Sequence, residues 1–280
     1  MSYLTHDTIK RATNYLLEHK IDNAKNEIRW FLEKNLNFYQ YQNHTIKKQY
    51  FSELEYNAIQ KFIKRRIKQE PFQYILGMAP FYDKDFIVNK NVLIPRPETE
   101  CMIDIIKKNH FINALDIGTG AGNISIILRL QNIVDSVLGI DVSEQAISVA
   151  YKNKKLHNVS NISFEKNNIF KMSLKHKFDL IVSNPPYINY SDYQLLNKTV
   201  KDYEPAIALT DFNDGYSFYE CFLKVFVKNI KPGGMMLLEI GHERMQKNID
   251  NIFKTLNAQL KWHKDLNGQY RFIQIIDGTI

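Results

Sequence analysis

Apolar side chains recur every three or four positions along the first quarter of the chain, which is the spacing of amphipathic helices. The repeats are Ile9, Ala12, Leu16 and Leu17, then Ile28, Phe31 and Leu32, and then Leu54, Ala58, Phe62 and Ile63. Ser52 precedes Glu55 by three positions, which is typical of a capping box at the start of a helix. Glycine is absent before Gly77. The pattern therefore predicts a helical N-terminal domain over residues 1–75.

Residues 76–97 have a different pattern. Short apolar pieces around Phe81, Phe86 and Val92 indicate extended segments, and Asn89-Lys90-Asn91 is compatible with the turn of a hairpin. Pro95-Arg96-Pro97 restricts the backbone to a rigid, extended turn. We expect this stretch to be a connecting hairpin and hinge between two domains.

From residue 98 to residue 280, short apolar runs alternate with helical repeats, as in a parallel α/β sheet. Predicted strands are 114–117, 137–140, 162–165, 179–182 and 235–240, and predicted helices are 124–130, 144–156 and 217–229. Two further strand-like runs, 259–264 and 270–276, flank Asn267-Gly268, which is a strong hairpin signal. We predict a Rossmann-like α/β domain over 98–280, with a seven-stranded sheet that ends in an antiparallel hairpin. This is the architecture of S-adenosylmethionine-dependent methyltransferases.

Composition adds few constraints. The chain has 280 residues, 44% of them hydrophobic, and a formal net charge of +7, which indicates an acidic partner only weakly. The basic run over 61–68 has two readings, a solvated helix face or a surface that docks a partner. Two cysteines are too few for a disulfide framework, and no signal peptide or membrane-length apolar run is evident, so we expect a cytoplasmic protein with no membrane partner.

A glycine-rich loop follows the first strand of the sheet and opens a helix. It reads Asp116-Ile117-Gly118-Thr119-Gly120-Ala121-Gly122. The dinucleotide fingerprint needs a further glycine at 123, where this chain has Asn. The spacing resembles the methyltransferase loop that holds the methionine part of S-adenosylmethionine. Asp116, Gly118, Thr119, Gly120 and Gly122 are therefore candidate cofactor residues.

The ends of the next two strands supply further candidates. Asp141 lies about 20 residues after the loop, where a carboxylate can accept hydrogen bonds from both ribose hydroxyls, although it is also placed to cap a helix before Ser143. Asn168 and Ile169 follow the third strand, where the amide could bond an adenine amino group and the aliphatic chain could pack on the ring. The competing interpretation for Asn168 is an ordinary turn.

Asn184-Pro185-Pro186-Tyr187 directly follows the apolar run 178–183 and so lies at the carboxyl end of a strand. The Asn184 side-chain oxygen and the Pro185 carbonyl can each accept one N–H of a planar NH2 group. Two prolines restrict the backbone, and Tyr187 can stack on the group that carries the NH2. The tetrapeptide therefore indicates methyl transfer to an amide or aromatic amine nitrogen.

Several motifs together resemble the HemK/PrmC family, the peptide chain release factor N5-glutamine methyltransferases. They are residues 70–77 (EPFQYILG), 93–100 (LIPRPETE), the glycine loop, 184–188 (NPPYI), 203–205 (YEP) with Ala208-Leu209, and 239–241 (EIG). The resemblance covers most of the chain and is weakest in the first 60 residues.

The resemblance implies a protein substrate, the glutamine of the Gly-Gly-Gln loop in class I release factors. It assigns Asn184, Pro185 and Tyr187 to catalysis at that glutamine, with Pro186, Arg96 and Pro97 lining the substrate cleft. For Arg96 a structural clamp to Glu98 or Glu100 is the alternative. This chain departs from the family pattern at Asp83, Ala121, Asn168 and Arg244, of which Asn168 removes a charge near the adenine.

Alternatives stay open at this point. A glutamine methyltransferase of a ribosomal protein would carry the same tetrapeptide, and a DNA or RNA amino-methyltransferase is a different class, disfavoured because no insertion large enough for base recognition is visible. A cofactor-binding scaffold without activity is the third. The eight histidines show no metal-ligand spacing, so no metal is expected. We expect no stable nucleic-acid partner, and the oligomeric state is open, with a monomer as the working expectation.

Overall fold

The computed structural model describes residues 3–38, 49–171 and 176–278. The chain forms two compact units, Met1–Met78 with Lys198–Tyr203, and Ala79–Asn197 with Glu204–Ile280. The larger unit carries the sheet and the predicted site residues after position 96. Among the described residues, no helix has the length and apolar character that crossing a bilayer requires.

Helices dominate the smaller unit, as the apolar repeats predict. They are α1 (Thr5–Glu18), α2 (Ala24–Leu36), α3 (Glu53–Arg66) and α4 (Phe72–Leu76), with an antiparallel pair of two-residue strands, β1 (Tyr3–Leu4) and β2 (Tyr50–Phe51). The predicted capping box is confirmed, because Ser52 Oγ accepts from the Glu55 amide and the Glu55 carboxylate accepts from the Ser52 amide. Leu16, Leu32 and Phe62 are buried in the shared core.

Two arginines of the basic run 61–68 have carboxylate partners inside the smaller unit. Arg66 Nε donates to Glu27 Oε2 at 2.7 Å, and both side chains are largely buried. Arg65 donates to Glu70 through Nε and Nη2. These two residues therefore hold helices and the following loop together, and neither is an uncommitted surface charge.

The larger unit alternates strands and helices. Its strands are β3 (Met78–Phe81, of which Met78 belongs to the smaller unit), β4 (Lys84–Ile87), β5 (Phe111–Ile117), β6 (Val134–Asp141), β7 (Ile162–Lys166), β8 (Phe178–Ser183), β9 (Ile230–Glu239), β10 (Ala258–Lys264) and β11 (Tyr270–Asp277). Its helices are α5 (Pro97–Ile106), α6 (Asn123–Leu130), α7 (Glu144–Leu156), α8 (Tyr190–Leu195), α10 (Ser217–Asn229) and α11 (Gln246–Phe253). The short α9 (Lys198–Lys201) lies in the smaller unit.

Seven strands form one sheet in the order β10-β11-β9-β8-β5-β6-β7. Strands β9, β8, β5, β6 and β7 are parallel, whereas β11 runs antiparallel to both β9 and β10. The predicted fold class, including the terminal antiparallel hairpin, is confirmed. The carboxyl ends of β5, β6, β7 and β8 lie at one edge of the sheet.

Neighbouring residues of the central strands point to opposite faces and enter different cores. Ala114 and Leu180 pack with α5 and α6 on one face, and Leu115 and Ile181 pack with α10 on the other. Burial on both faces explains why these strands read as continuous apolar runs rather than as alternating patterns. The sheet is thus a rigid platform under the loops at its carboxyl edge.

The hairpin turn lies at a different place from the one predicted. Strands β3 and β4 pair across Tyr82 and Asp83, both with positive φ, whereas the Asn89 side chain accepts from the Asn91 amide in a local turn. Phe81 and Phe86 are fully buried in the core of the larger unit. A helix also begins at Pro97, where only an extended turn was predicted. Proline suits the first position of a helix, because an N–H at that position would have no partner within the helix.

Candidate functional site

A cavity of about 290 Å³ opens at the carboxyl ends of the parallel strands. Seven predicted site residues at the ends of four different strands line it: Gly118, Gly120, Asp141, Asn168, Ile169, Asn184 and Pro186. Open α/β sheets bind ligands at this edge. The structure therefore brings most of the predicted cofactor residues to one place.

Backbone conformation at the glycine loop requires glycine. Gly118, Gly120 and Gly122 all have positive φ, between 54° and 78°. A Cβ on Gly118 or Gly120 would meet no atom nearer than 3.9 Å, because the space in front of these residues is the cavity itself. A Cβ on Gly122 would instead lie 2.9 Å from the Phe164 ring. The first two glycines thus form an open cradle, and the third packs the loop onto the sheet.

The side chains of Asp116 and Thr119 are buried and are not part of the cavity lining. Asp116 is fully buried, and its Oδ2 accepts from Thr119 Oγ1 at 2.7 Å and from Ser125 Oγ at 2.6 Å. Its Oδ1 has no hydrogen-bond partner among the residues that the structure describes. Burial raises the pKa of Asp116 to about 6, against the opposing effect of the two hydroxyl donors. An unmatched acceptor of this kind suits a cationic group bound nearby.

Asp141 joins the glycine loop to the end of β6. Oδ2 accepts from the Gly120 amide at 2.9 Å, and Oδ1 accepts from the Ser143 amide at 2.9 Å. Burial raises the pKa of this carboxyl, although the backbone donors act in the opposite direction. Ser143, and not Asp141, caps α7, because its hydroxyl accepts from the Ala146 amide. Asp141 therefore holds the cradle in shape and is one of the residues that line the cavity.

Asn168 forms a local turn, as one of its two interpretations predicts, and it also lines the cavity. Its contact with the adenine stays a prediction. Its Oδ1 accepts from the Phe170 amide at 3.0 Å. Since that acceptor is engaged, the side-chain NH2 is the more accessible group for a ligand. Ile169 and Phe170 follow along the same wall, with Phe170 51% exposed and edge-on to Phe218.

Asn184 has a defined side-chain orientation. Its Nδ2 donates to Thr99 Oγ1 at 3.0 Å, and Thr99 Oγ1 donates to Glu239 Oε2 at 2.7 Å. The amide nitrogen is thereby held by α5, while the residue lines the cavity. A fixed amide oxygen at this position can accept from an NH2 group.

Tyr187 and Pro185 do not line the cavity. The Tyr187 hydroxyl donates to Glu239 Oε1 at 3.4 Å, and its ring packs on Gly241, where a Cβ would lie 2.7 Å from Cδ2. Burial and the charge of Glu239 raise the pKa of Tyr187 strongly. Pro185 is buried at the start of the turn. Among the described residues, no donor bonds to the Pro185 carbonyl.

Arg96 and Pro97 also lie outside the cavity lining. Arg96 Nη2 donates to Glu204 Oε1 at 2.6 Å, and Glu204 is almost fully buried. The structural clamp considered for Arg96 thus exists, but its partner is Glu204 and not Glu98 or Glu100. Pro97 is the first residue of α5.

One wall of the cavity was not predicted from the sequence. Residues between β8 and α10 supply it, together with the start of that helix: Pro205, Ile207, Ala208, Thr210, Asp211, Phe212, Ser217 and Phe218. Asp211 shapes this wall by accepting from the amides of Asn213, Gly215 and Ser217. An acidic residue followed by Asn and Gly was a usable turn signal. Within the described ranges, no group of three or more His, Cys, Asp or Glu side chains is arranged to hold a metal ion, and the expected absence of a metal stays a prediction.

Two family models match the chain. The PrmC N-terminal domain matches residues 7–77, and a methyltransferase domain matches residues 107–273. Among solved structures, a methyltransferase from Pyrococcus furiosus is similar over 82% of this chain and all of its own, with 19% identity and a TM-score of 0.56. At that identity the likeness shows the fold alone.

Several relatives carry the same printed name. A release factor glutamine methyltransferase of Fusobacterium nucleatum is 40% identical over 75% of this chain and 61% of its own length. One of Geobacter sulfurreducens is 35% identical over 81% of this chain and 80% of its own. A bifunctional methyltransferase of Rickettsia typhi is 38% identical, and the match spans only 46% of that protein. The chain therefore spans about half to three fifths of several relatives and most of others. By these matches the chain belongs to the family of release factor glutamine methyltransferases.

Proposed function

We propose that this protein transfers a methyl group from S-adenosylmethionine to the side-chain amide nitrogen (N5) of a glutamine, the one in the Gly-Gly-Gln motif of class I release factors. One observation carries the proposal: Asn184 lines the cavity with its Nδ2 hydrogen-bonded to Thr99. Its Oδ1 is thereby left to accept an N–H from a substrate amide.

The donor set of the cavity fits S-adenosylmethionine. The open cradle of Gly118 and Gly120 accommodates the methionine part, and the unmatched Oδ1 of Asp116 favours the cationic end. We assign the carboxylate of Asp141 to the ribose hydroxyls. We assign Ile169 and Phe170 to an apolar wall for the adenine, with Asn168 at its side; all four residues line the cavity. When bound, the cofactor supplies an electrophilic methyl group.

The residues of the chain position the nucleophile. An amide nitrogen is a poor nucleophile, because its lone pair is delocalised into the carbonyl. Asn184 Oδ1, on the cavity wall, can accept one N–H of the glutamine. The Pro185 carbonyl, which lies outside the cavity lining and has no donor among the described residues, stays the predicted acceptor of the other N–H. These two acceptors orient the nitrogen toward the cofactor and stabilise the positive charge that develops on it. The proton can leave after transfer, so no histidine base is needed.

Tyr187 stabilises the turn formed by the tetrapeptide and does not line the cavity. Its hydroxyl bonds Glu239 and its ring packs on Gly241, so in this form of the protein it stiffens the tetrapeptide. Stacking of Tyr187 on the glutamine stays a prediction. The Arg96 side chain is paired with Glu204 and so is not available to a substrate. In this proposal Arg96 and Pro97 therefore shape the substrate cleft by fixing the backbone between β4 and α5.

The names of the relatives support the release factor as the substrate class. In this proposal residues 1–75 dock the release factor, 76–97 connect, and 98–280 catalyse, with the PrmC N-terminal match over 7–77 supporting the first assignment. We place the reaction in the cytoplasm, with a monomer as the working unit and neither a membrane nor a stably bound nucleic acid as partner.

Labelled S-adenosylmethionine tests the proposal directly. The purified chain is incubated separately with a class I release factor, with ribosomal proteins and with duplex DNA, and label is mapped by peptide mass spectrometry. A release factor whose Gly-Gly-Gln glutamine is replaced by Glu is the matched control. Label on that glutamine, absent from the control, supports the proposal. Label only on a ribosomal protein or only on DNA overturns the choice of substrate.

A further inference from the structure

Two residues outside the cavity lining control the side chain on which the proposed function depends. Asn184 Nδ2 contacts Thr99 Oγ1, on the first turn of α5, and Thr99 in turn contacts Glu239 at the end of β9. Thr99 and Glu239 are 2% and 1% exposed, so water does not substitute for either contact. The three side chains form a hydrogen-bonded row from the end of β9, through α5, to the cavity.

The protons that Thr99 and Glu239 can donate determine which way the Asn184 amide points. A hydroxyl has one proton to donate, and an ionised carboxylate can only accept. When Glu239 is ionised, the Thr99 proton is committed to Glu239 Oε2, and Thr99 Oγ1 can then only accept from Asn184. The neighbour of Thr99 must therefore be the NH2 of Asn184, and the amide oxygen turns to the cavity.

We propose that Glu239 and Thr99 form a positioning relay that sets the Asn184 amide with its oxygen toward the substrate nitrogen. The inference deepens the proposed function and rests on it, since the relay matters for turnover only if Asn184 accepts from the glutamine. Neither Glu239 nor Thr99 touches the reacting atoms. Both act through Asn184.

Protonation of Glu239 would reverse the relay. A Glu239 hydroxyl can donate to Thr99, which frees the Thr99 proton for the Asn184 oxygen, so the amide presents its NH2 to the cavity. A donor there repels the N–H of the substrate. Turnover should therefore fall as Glu239 takes up its proton.

The surroundings of Glu239 bring its pKa into the pH range in which the enzyme can be assayed. Burial raises its pKa to about 7, and the charge of Glu98 on α5 acts in the same direction. Arg271 on β11, Thr99 and the hydroxyl of Tyr187 act in the opposite direction. The Tyr219 hydroxyl of α10 bonds the backbone carbonyl of Glu239 at 2.7 Å, which holds the residue in place without touching the carboxylate.

Steady-state kinetics with saturating cofactor and varied release factor test the relay. Thr99→Val removes the hydroxyl at nearly constant shape, and we expect kcat to fall about 10- to 100-fold with KM for the release factor unchanged. Thr99→Ser keeps the hydroxyl and should restore most of kcat. Ser183→Ala is the matched control: it deletes a buried hydroxyl next to Asn184 that bonds the Ile117 carbonyl and has no place in the relay.

Glu239→Gln separates positioning from simple structural support. Glutamine cannot ionise, so the fall of kcat between about pH 8 and pH 6 in the wild type should disappear in the variant, whatever its absolute rate. A variant that retains the wild-type acidic limb overturns the relay. A Thr99→Val variant with kcat within threefold of wild type, or with a loss matched by Ser183→Ala, also overturns it.

A readout without turnover distinguishes failure of the relay from failure of the proposed function. The side-chain NH2 resonances of Asn184 are assigned in nitrogen-15 spectra by their loss in Asn184→Asp. We expect them to shift with a midpoint near pH 7 in the wild type and to stay constant in Glu239→Gln. Constant wild-type resonances overturn the relay. A titration of these resonances in a protein that does not methylate release factors leaves the relay standing and overturns the substrate.

Discussion

The guanidinium of Arg96 donates from Nη2 to Oε1 of Glu204 at 2.6 Å, although the two residues are 108 positions apart. Glu204 Oε2 also accepts from the Ile94 amide at 3.3 Å. The almost fully buried carboxylate of Glu204 therefore accepts from a side chain (Arg96) and from a backbone amide (Ile94) of the segment between β4 and α5. This contact fixes the segment that leads to Thr99 and the positioning relay.

Removing the Arg96 charge should destabilise the protein. Arg96→Met leaves the Glu204 carboxylate buried without its cation, and we expect a loss of about 2 kcal/mol in the free energy of unfolding, reduced from the fully buried case because Arg96 is 32% exposed. Chemical denaturation measures it. Lys166→Met, which breaks an exposed pair with Glu144, is the control and should cost less than about 0.5 kcal/mol. Equal effects of the two substitutions would contradict a structural role for Arg96.

The cradle of the glycine loop can be tested against a matched glycine elsewhere. Gly118 (φ 74°) and Gly233 (φ 71°) both need positive φ, but only Gly118 lines the cavity. Alanine at either position should cost about 1 kcal/mol of stability through backbone strain. Gly118→Ala should also weaken binding of S-adenosylhomocysteine at least 10-fold, measured by calorimetry, while Gly233→Ala leaves that affinity unchanged. Similar affinities in the two variants would exclude Gly118 from the cofactor site.

Most strands and helices of the larger unit can be predicted from the sequence, because each is determined by the residue pattern of its own segment. The bounds of α7 (Glu144–Leu156) and α10 (Ser217–Asn229) agree with the predicted ones, and the NG turn correctly indicates the β10–β11 hairpin. The turn at Tyr82 and Asp83 is missed, since two non-glycine residues adopt positive φ there and no residue pattern announces it. For α5, Pro97 followed by acidic residues was a usable start signal.

Roles that depend on long-range contacts are harder to predict. The strand ends locate the cavity residues, because the topology of parallel sheets places those ends together. By contrast, Thr99 and Glu239 lie 140 positions apart and join only through tertiary packing. The sequence motifs that contain them are visible, but the partner of each side chain is not. Likewise, Tyr187 reads as a stacking residue in the sequence, and only the structure shows its hydroxyl on Glu239.

Asn184 should be essential for turnover but not for folding. Asn184→Ala removes an aligned acceptor from the substrate nitrogen, and we expect kcat to fall roughly 10²-fold, by analogy with the loss of one preorganised donor in an oxyanion hole. Affinity for S-adenosylhomocysteine should stay close to that of the wild type. Asn189→Ala is the control; it removes the α8 cap that accepts from the Asp192 amide and should reduce stability alone. Near-normal turnover of Asn184→Ala would refute the proposed mechanism.

Burial of Glu239 should make stability depend on pH in a predictable direction. Folding raises the pKa of this carboxyl from 4.5 to about 7, so the folded state favours the protonated form. Its contribution to stability is therefore fully present below pH 4.5 and is lost as pH rises through about 7. Across this window the free energy of unfolding of the wild type should fall by about 3 kcal/mol relative to that of Glu239→Gln, which cannot ionise.

Urea unfolding of both proteins at several pH values from 4.5 to 8 measures this difference directly. Asp116, whose pKa is also raised by burial, is present in both proteins and cancels in the comparison. Glu144→Gln is the control, because it makes the same substitution at an exposed carboxyl; the difference is expected for Glu239→Gln alone. If the profiles of wild type and Glu239→Gln are parallel, Glu239 does not change its protonation on folding. Reversal of the relay by protonation between pH 8 and 6 would then have no physical basis.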